Sequence, residues 1–267
     1  MGDDAEPRAA DLPLITTGIS QLDEFLAGGL DPGTLVLLVE PSGAGAEIFA
    51  KQFAAGGAHS SVGRSVYVTT EESEQEVVRA FGRFGFPTVP RIVPVSEAYS
   101  RRILEKRDAS SRAVRERSTK DLLSSDSGDL LQAPIPEDSD FLDELLRPYT
   151  TGSPPQRLTI HTLDFFLGLY GVDRVIDTLT AIKAANEQAG GLILMVLTGG
   201  SPHRAAAQGL LDRVASCLIE LEFHRRGSQF EKFLLVKKVR NKFHGVGVAP
   251  YQVNERGFQL DNLNRIL

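Results

Sequence analysis

The run Leu35-Val36-Leu37-Leu38-Val39 contains no polar residue, and the turn Pro41-Ser42-Gly43-Ala44-Gly45 follows it almost at once, leading into an apolar-periodic helix near Ile48. A short segment that is apolar on both sides of its pleat, bounded by a glycine turn, suits a strand covered by helices on both faces. That is the environment of a parallel sheet. The pattern recurs. Val66-Tyr67-Val68-Thr69-Thr70, Arg157 to Thr162 and Leu192 to Leu197 read as further buried strands, and Arg91 to Ser96 as a short one. Between them, helix-periodic stripes occupy 73–85 (Val77, Val78, Phe81, Phe84) and 172–188 (Val172, Val175, Ile176, Leu179, Ile182). Val214 to Phe223 reads as one more strand, and Phe230 to Val239, Val246 to Val253 and Gly257 to Leu260 as antiparallel strands with tight turns. The expected class is α/β: a mostly parallel central sheet flanked by helices, with an antiparallel C-terminal β-meander.

A single domain over residues 18–260 accounts for this rhythm, with 1–17 as a tail and lead-in and 261–267 as the C-terminal end. Its texture breaks once. Residues 105–138 are rich in Arg, Ser, Asp and Pro and poor in large apolar side chains, so they read as a polar, partly flexible insertion. Phe141 to Leu146 then reads as a short amphipathic helix. Net charge is −6 and the pI is near 5.5, so nothing draws the whole molecule toward nucleic acid or anionic membrane. The acidic start Met-Gly-Asp-Asp-Ala-Glu-Pro is unlike a signal peptide, no stretch suits a membrane span, and Cys217 stands alone in an apolar run. A cytoplasmic protein is expected.

The turn after the first strand stands where a phosphate-binding loop, G-x-x-x-x-G-K-[ST], belongs. Aligned on Gly45, the loop reads Glu40, Pro41, Ser42, Gly43, Ala44, Gly45, Ala46, Glu47. Glu40 replaces the first glycine, Ala46 the lysine that reaches the phosphates, and Glu47 the hydroxyl that holds magnesium. Two like charges about 4 Å apart repel by roughly 4 kcal/mol at an effective dielectric of ~20. The helix N-terminus returns only about 0.3–1 kcal/mol of attraction to an anion. An ionised Glu47 therefore opposes a triphosphate, unless magnesium or a proton neutralises it.

Thr17-Gly18-Ile19-Ser20-Gln21-Leu22-Asp23-Glu24-Phe25-Leu26-Ala27-Gly28-Gly29-Leu30 resembles the lead-in motif of the KaiC/RadA branch of RecA-type ATPases, and it directly precedes the altered loop. Val66 to Glu72 is similar to the branch's second strand, Lys238-Val239-Arg240 to its "KMR" strand, and Ala249 to Phe258 to its closing hairpin. The resemblance covers about 18–98 and 157–260 and implies a RecA-like sheet. It also implies that Glu71 and Glu72 are the relic of the water-positioning catalytic acids, and that Lys238 and Arg240 are trans contacts to a neighbouring subunit. In the Walker B strand, His161, followed by Thr162, stands at the position of the magnesium-binding Asp; Asp164 is the alternative acid in a shifted register.

The resemblance further implies that the residues at 47 and 161 converge on one metal position. Here they are an acid and an imidazole, and an internal Glu47–His161 pair is expected to fill the vacated site; the alternative is that both face elsewhere. Such a pair would raise the His161 pKa, its stabilisation present at low pH and lost as pH rises. No ligand pair among Glu71, Glu72, Glu74 and Glu76 has a diagnostic metal spacing, so no metal is expected. In the bland reading Glu71 and Glu72 are only an acidic helix start.

The resulting expectation is a catalytically degenerate RecA/KaiC-like protein, a regulatory or scaffolding subunit with no cofactor. Its partner would be a second copy or an active KaiC/RadA-like paralogue. The alternatives are a weak ATP/Mg-binding protein tied to signalling or DNA repair, and a nucleic-acid-binding module using Lys237, Lys238, Arg240 and Lys242 of the meander. His203 and Arg204 sit at a strand's C-terminal end, where a helix start is the simpler reading.

Overall fold

The computed structural model describes residues 13–56, 65–116, 141–151, 155–199, 204–226, 229–241 and 247–261. In chain order the elements are α1 (Ser20–Phe25), β1 (Leu35–Glu40), α2 (Ala46–Ala55), β2 (Ser65–Thr69), α3 (Glu74–Phe84), β3 (Arg91–Pro94), α4 (Val95–Glu116) and α5 (Phe141–Leu146). There follow β4 (Arg157–His161), α6 (Asp164–Tyr170), α7 (Val172–Ala189), β5 (Leu192–Thr198), α8 (Arg204–Val214), β6 (Cys217–Arg226), β7 (Gln229–Val239), β8 (Val248–Asn254) and β9 (Gly257–Leu260).

All nine strands join one sheet in the order β3-β2-β4-β5-β1-β6-β7-β8-β9. The pairings from β3 to β6 are parallel; β6–β7, β7–β8 and β8–β9 are antiparallel. β1 is fully buried, and its residues alternate between two cores. Val36 and Leu38 face one core with Phe49 and Phe53 of α2, Phe81 of α3 and the meander's Tyr251 and Phe258; Leu35, Leu37 and Val39 face the other with Phe166, Leu179 and Leu211. The mostly parallel α/β class is thereby established, with the antiparallel end where the sequence places it.

Three local readings change. Within the polar insertion read over 105–138, residues 105–116 form the second half of α4; the remainder of that segment lies outside the described residues. Arg and Ser are tolerated on an exposed helix, so their density does not by itself signal a loop. The strand read from Val214 begins at Cys217, because Val214 ends α8, whose helix start at Arg204 agrees with the simpler reading; His203 lies outside the described residues. A short helix, α6, follows β4 with no sequence reading to match. Among the described residues no helix is long and apolar enough to cross a membrane.

Candidate functional site

β1 runs into the loop at Glu40, and α2 starts at Ala46. Gly43 and Gly45 take positive φ angles of 84° and 102°, backbone that a residue with a Cβ resists. A Cβ on Gly45 would come within 2.8 Å of Val253 on β8, so this glycine also lets the hairpin close over the loop. Tyr251 completes that closure by donating its hydroxyl to the Ala44 carbonyl at 2.7 Å.

Glu40 is only 4% exposed, and its Oε2 accepts the Ala46 amide at 3.0 Å. The amide that opens α2, one of the donors a phosphate loop offers to an anion, is thus taken by the chain's own carboxyl group. Burial pushes the Glu40 pKa up to about 7; the Ala46 hydrogen bond opposes this, and the charges of Glu47 and Glu71 add to it.

Glu40 opens onto a cavity of about 360 Å³ at the C-terminal edge of the parallel strands, where open α/β sheets place ligands. Glu47, Glu71, Glu72 and His161 line the same cavity, with Ser42, Gly43 and Thr198. Of the positions singled out in the sequence, Glu40, Ser42, Gly43, Glu47, Glu71, Glu72 and His161 therefore share one cavity, which Lys238 and Arg240 do not line. Glu71 and Glu72 follow β2, their amides donating to the Thr69 hydroxyl at 3.4 and 3.0 Å. Ser73 then caps α3 in a reciprocal capping box with Glu76. Glu71 is held above the usual carboxylate range by burial, then by Asp164, Glu72 and Glu47. Asp164 starts α6, and its Oδ2 accepts the Thr198 amide at 2.8 Å, which brings an acid to this rim after all.

The cation at the site is Lys51, which the motif alignment did not single out. It is 1% exposed, lies one helical turn beyond Glu47, and its Nζ meets Glu72 Oε2 at 2.8 Å and stands 5.9 Å from the Tyr67 ring. Tyr67 stacks on His161 at 6.3 Å and donates weakly to Glu72 at 3.4 Å. The one sequence signal for Lys51 is that it is the only charge beyond the first turn of a mostly apolar helix.

The expected Glu47–His161 pair does not form. His161 is 3% exposed, and its Nδ1 has no hydrogen-bond partner. Its pKa is lowered to about 3, first by burial and then by the charge of Lys51. Taking an imidazolium out of water costs more than a distant carboxylate returns, so the ring is neutral. The sign of the pH effect reverses with it: a depressed folded pKa gives stability that is whole above the unfolded value of 6.5 and lost as pH falls toward about 3. Thr162 is placed by Thr70, whose hydroxyl accepts the Thr162 amide at 2.9 Å. Among the described residues no group of three or more His, Cys, Asp or Glu could hold a metal ion.

The meander's basic run is largely committed within the chain. Lys238 donates to the carbonyls of Asp212 and Ala215 at 2.7 Å each, and Lys237 pairs with Glu220 at 2.6 Å. Arg240 is exposed, and Lys242 lies outside the described residues.

Comparison with known proteins bears on this geometry. The family model described as "ATPase: KaiC" matches residues 15–264. The DNA repair protein RadA of Haemophilus influenzae is 37% identical over 76 residues, spanning 28% of this chain and 16% of RadA. The crystal structure of a KaiC-like protein from Pyrococcus horikoshii superposes with a TM-score of 0.63 at 19% identity, covering 94% of this chain and 99% of that one. This likeness carries the fold.

Proposed function

The chain belongs to the KaiC ATPase family, and from that premise we propose that it is a member that has given up nucleotide turnover and acts in the cytoplasm as a regulatory or scaffolding subunit. The observation that carries this reading is Glu40. Its carboxyl group holds the Ala46 amide from inside the loop, where a polyphosphate would need that donor. Glu47 beside it puts a carboxylate at the hydroxyl position, and no lysine stands at position 46. Lys51 offers no replacement, since its ammonium is spent on Glu72. That bond also ties up one of the two acids that the family resemblance assigns to water positioning.

The partner proposed is a second copy or an active KaiC/RadA-like protein, with Arg240, exposed on the meander, as the residue to reach across. Calorimetry with ATP and ADP, with and without magnesium, tests the reading. The parent should give no saturable heat, whereas Glu40→Gly combined with Ala46→Lys and Glu47→Thr should acquire binding. Binding by the parent with a Kd of about 1–10 μM, worth roughly 7–8 kcal/mol, would overturn it.

A further inference from the structure

We propose that the cavity at the C-terminal edge of the sheet is a binding site for an organic cation, an ammonium or guanidinium group lodged among Glu40, Glu47, Glu71 and His161. The inference rests on the reading that polyphosphate binding has been given up, and it adds what the site takes instead.

Sign comes first. The cavity wall carries four glutamates and no lysine or arginine. The nearest cation, Lys51, lies buried in α2, and its ion pair is with Glu72. The other three carboxyl groups, Glu40, Glu47 and Glu71, face one space and make no ion pair among the described residues.

Unsatisfied acceptors come second. His161 lines the cavity while 97% buried by its 3% exposure, and its Nδ1 has no partner. Asp164 adds a buried Oδ1 that is likewise unpartnered, close enough to Glu71 for its charge to be the main electrostatic influence there. Buried polar atoms are seldom left in this state unless something else supplies the partner. Mutual repulsion supports the same conclusion: beside burial, the neighbouring carboxylates push the pKa values of Glu40 and Glu71 upward. A bound cation would relieve that repulsion.

The class of cation follows from spacing. A metal ion needs its ligands converged at about 2.0–2.6 Å. No such convergence exists among the described residues. A guanidinium spreads five N–H donors over a plane and an ammonium carries three, so each can serve acceptors that do not meet at one point. At about 360 Å³ the space suits the head of such a group.

Titration calorimetry with agmatine, which carries both an ammonium and a guanidinium, tests this on the full chain. Saturable binding is expected, weakened at least about tenfold by Glu47→Gln with Glu71→Gln. Both side chains reach solvent, so the fold should tolerate them. Glu71→Arg, which brings its own guanidinium, should abolish binding. Absence of saturable heat with the parent, equal affinity in the double variant, or displacement of agmatine by tighter-binding magnesium would each overturn the proposal. Sedimentation velocity separates the sources of the cation. Self-association dispersed by agmatine identifies a basic side chain of a second copy, and a monomer that binds agmatine identifies a free small cation. ATP titrated in parallel keeps the two readings apart: ATP binding sinks both, whereas silence toward ATP and agmatine sinks only this one.

Discussion

Strand β4 starts in Arg157 and ends in His161, and the two ends treat a buried basic side chain in opposite ways. Arg157 is 1% exposed, donates to the carbonyls of Phe53 at 2.9 Å and Thr17 at 3.4 Å and also to Thr16, and lies 4.9 Å over the Phe53 ring. His161, 3% exposed, has an unpartnered nitrogen and a neutral ring. Burial draws the Arg157 pKa down to about 10, yet the group stays charged at neutral pH. At the N-terminal edge a full charge is invested in architecture: one guanidinium ties the lead-in to α1, the end of α2 and the sheet together. Polar groups at the C-terminal edge are left unsatisfied around a cavity. The terminal nitrogens of Arg157 reach three carbonyls and so hold the fold although its Nε lacks a partner, whereas the His161 Nδ1 has no partner and the ring faces a cavity, the side where a ligand is received.

The largest expected effect tests the first half of that contrast. Arg157→Met keeps the apolar stem but removes the donors to the Phe53, Thr17 and Thr16 carbonyls, the first two bonds buried, at about 1–3 kcal/mol for each buried bond lost. Urea unfolding should therefore register a loss of roughly 3 kcal/mol or more. His161→Phe, at the other end of the same strand, removes an unpartnered polar ring and should cost about 1 kcal/mol or less. Equal losses at the two ends would break the comparison.

Next in size is the protonation of Glu40. Its folded pKa, about 7, lies above the unfolded value of 4.5, so the folded protein binds the proton more tightly. The penalty is absent below the unfolded value, grows between the two, and is complete above about 7. The full shift would be worth about 3 kcal/mol at 1.36 kcal/mol per unit, and contact with the cavity mouth reduces this to about 2. Glu40→Gln should raise stability by that amount near pH ~8 and leave it unchanged near pH ~4, read by thermal unfolding at both. A Gln that destabilises at both would mean the carboxylate charge itself holds the loop.

Legibility in the sequence divides along the same line. The succession of strands along the chain could be read because apolar runs such as Leu192–Thr198 and turns such as Gly43–Gly45 are local signals, and Gly45 set the alignment of the loop. The cavity's wall was legible for the same reason, position by position. Its wiring was not. Lys51 reaches Glu72 across 21 residues of sequence, and Arg157 reaches Phe53 across 104; no spacing rule links such partners. The pair proposed for Glu47 and His161 failed because opposite chemistry at converging positions says nothing about desolvation, which governs His161. The helix over 105–116 was not legible because its Arg- and Ser-rich composition carries little apolar periodicity.

The smallest predicted effect separates Lys238 from Arg240, neighbours on one strand and its end that the family resemblance treats as a unit. Lys238 closes the end of α8: its ammonium takes the carbonyls of Asp212 and Ala215, where a cation also meets the negative end of the helix dipole. Burial and then Arg240 lower its pKa, which is the mark of a cation held against its surroundings rather than offered to solvent. Lys238→Met should therefore cost about 1 kcal/mol of stability and leave any self-association unchanged. Arg240→Ala removes an exposed side chain and should leave unfolding within about 0.5 kcal/mol of the parent. If association with a second copy uses this strand, sedimentation should show it weakened in the Arg240 variant alone. A Lys238→Met protein that is fully stable but dissociated would put the lysine back at the interface, and with it the unity of the pair.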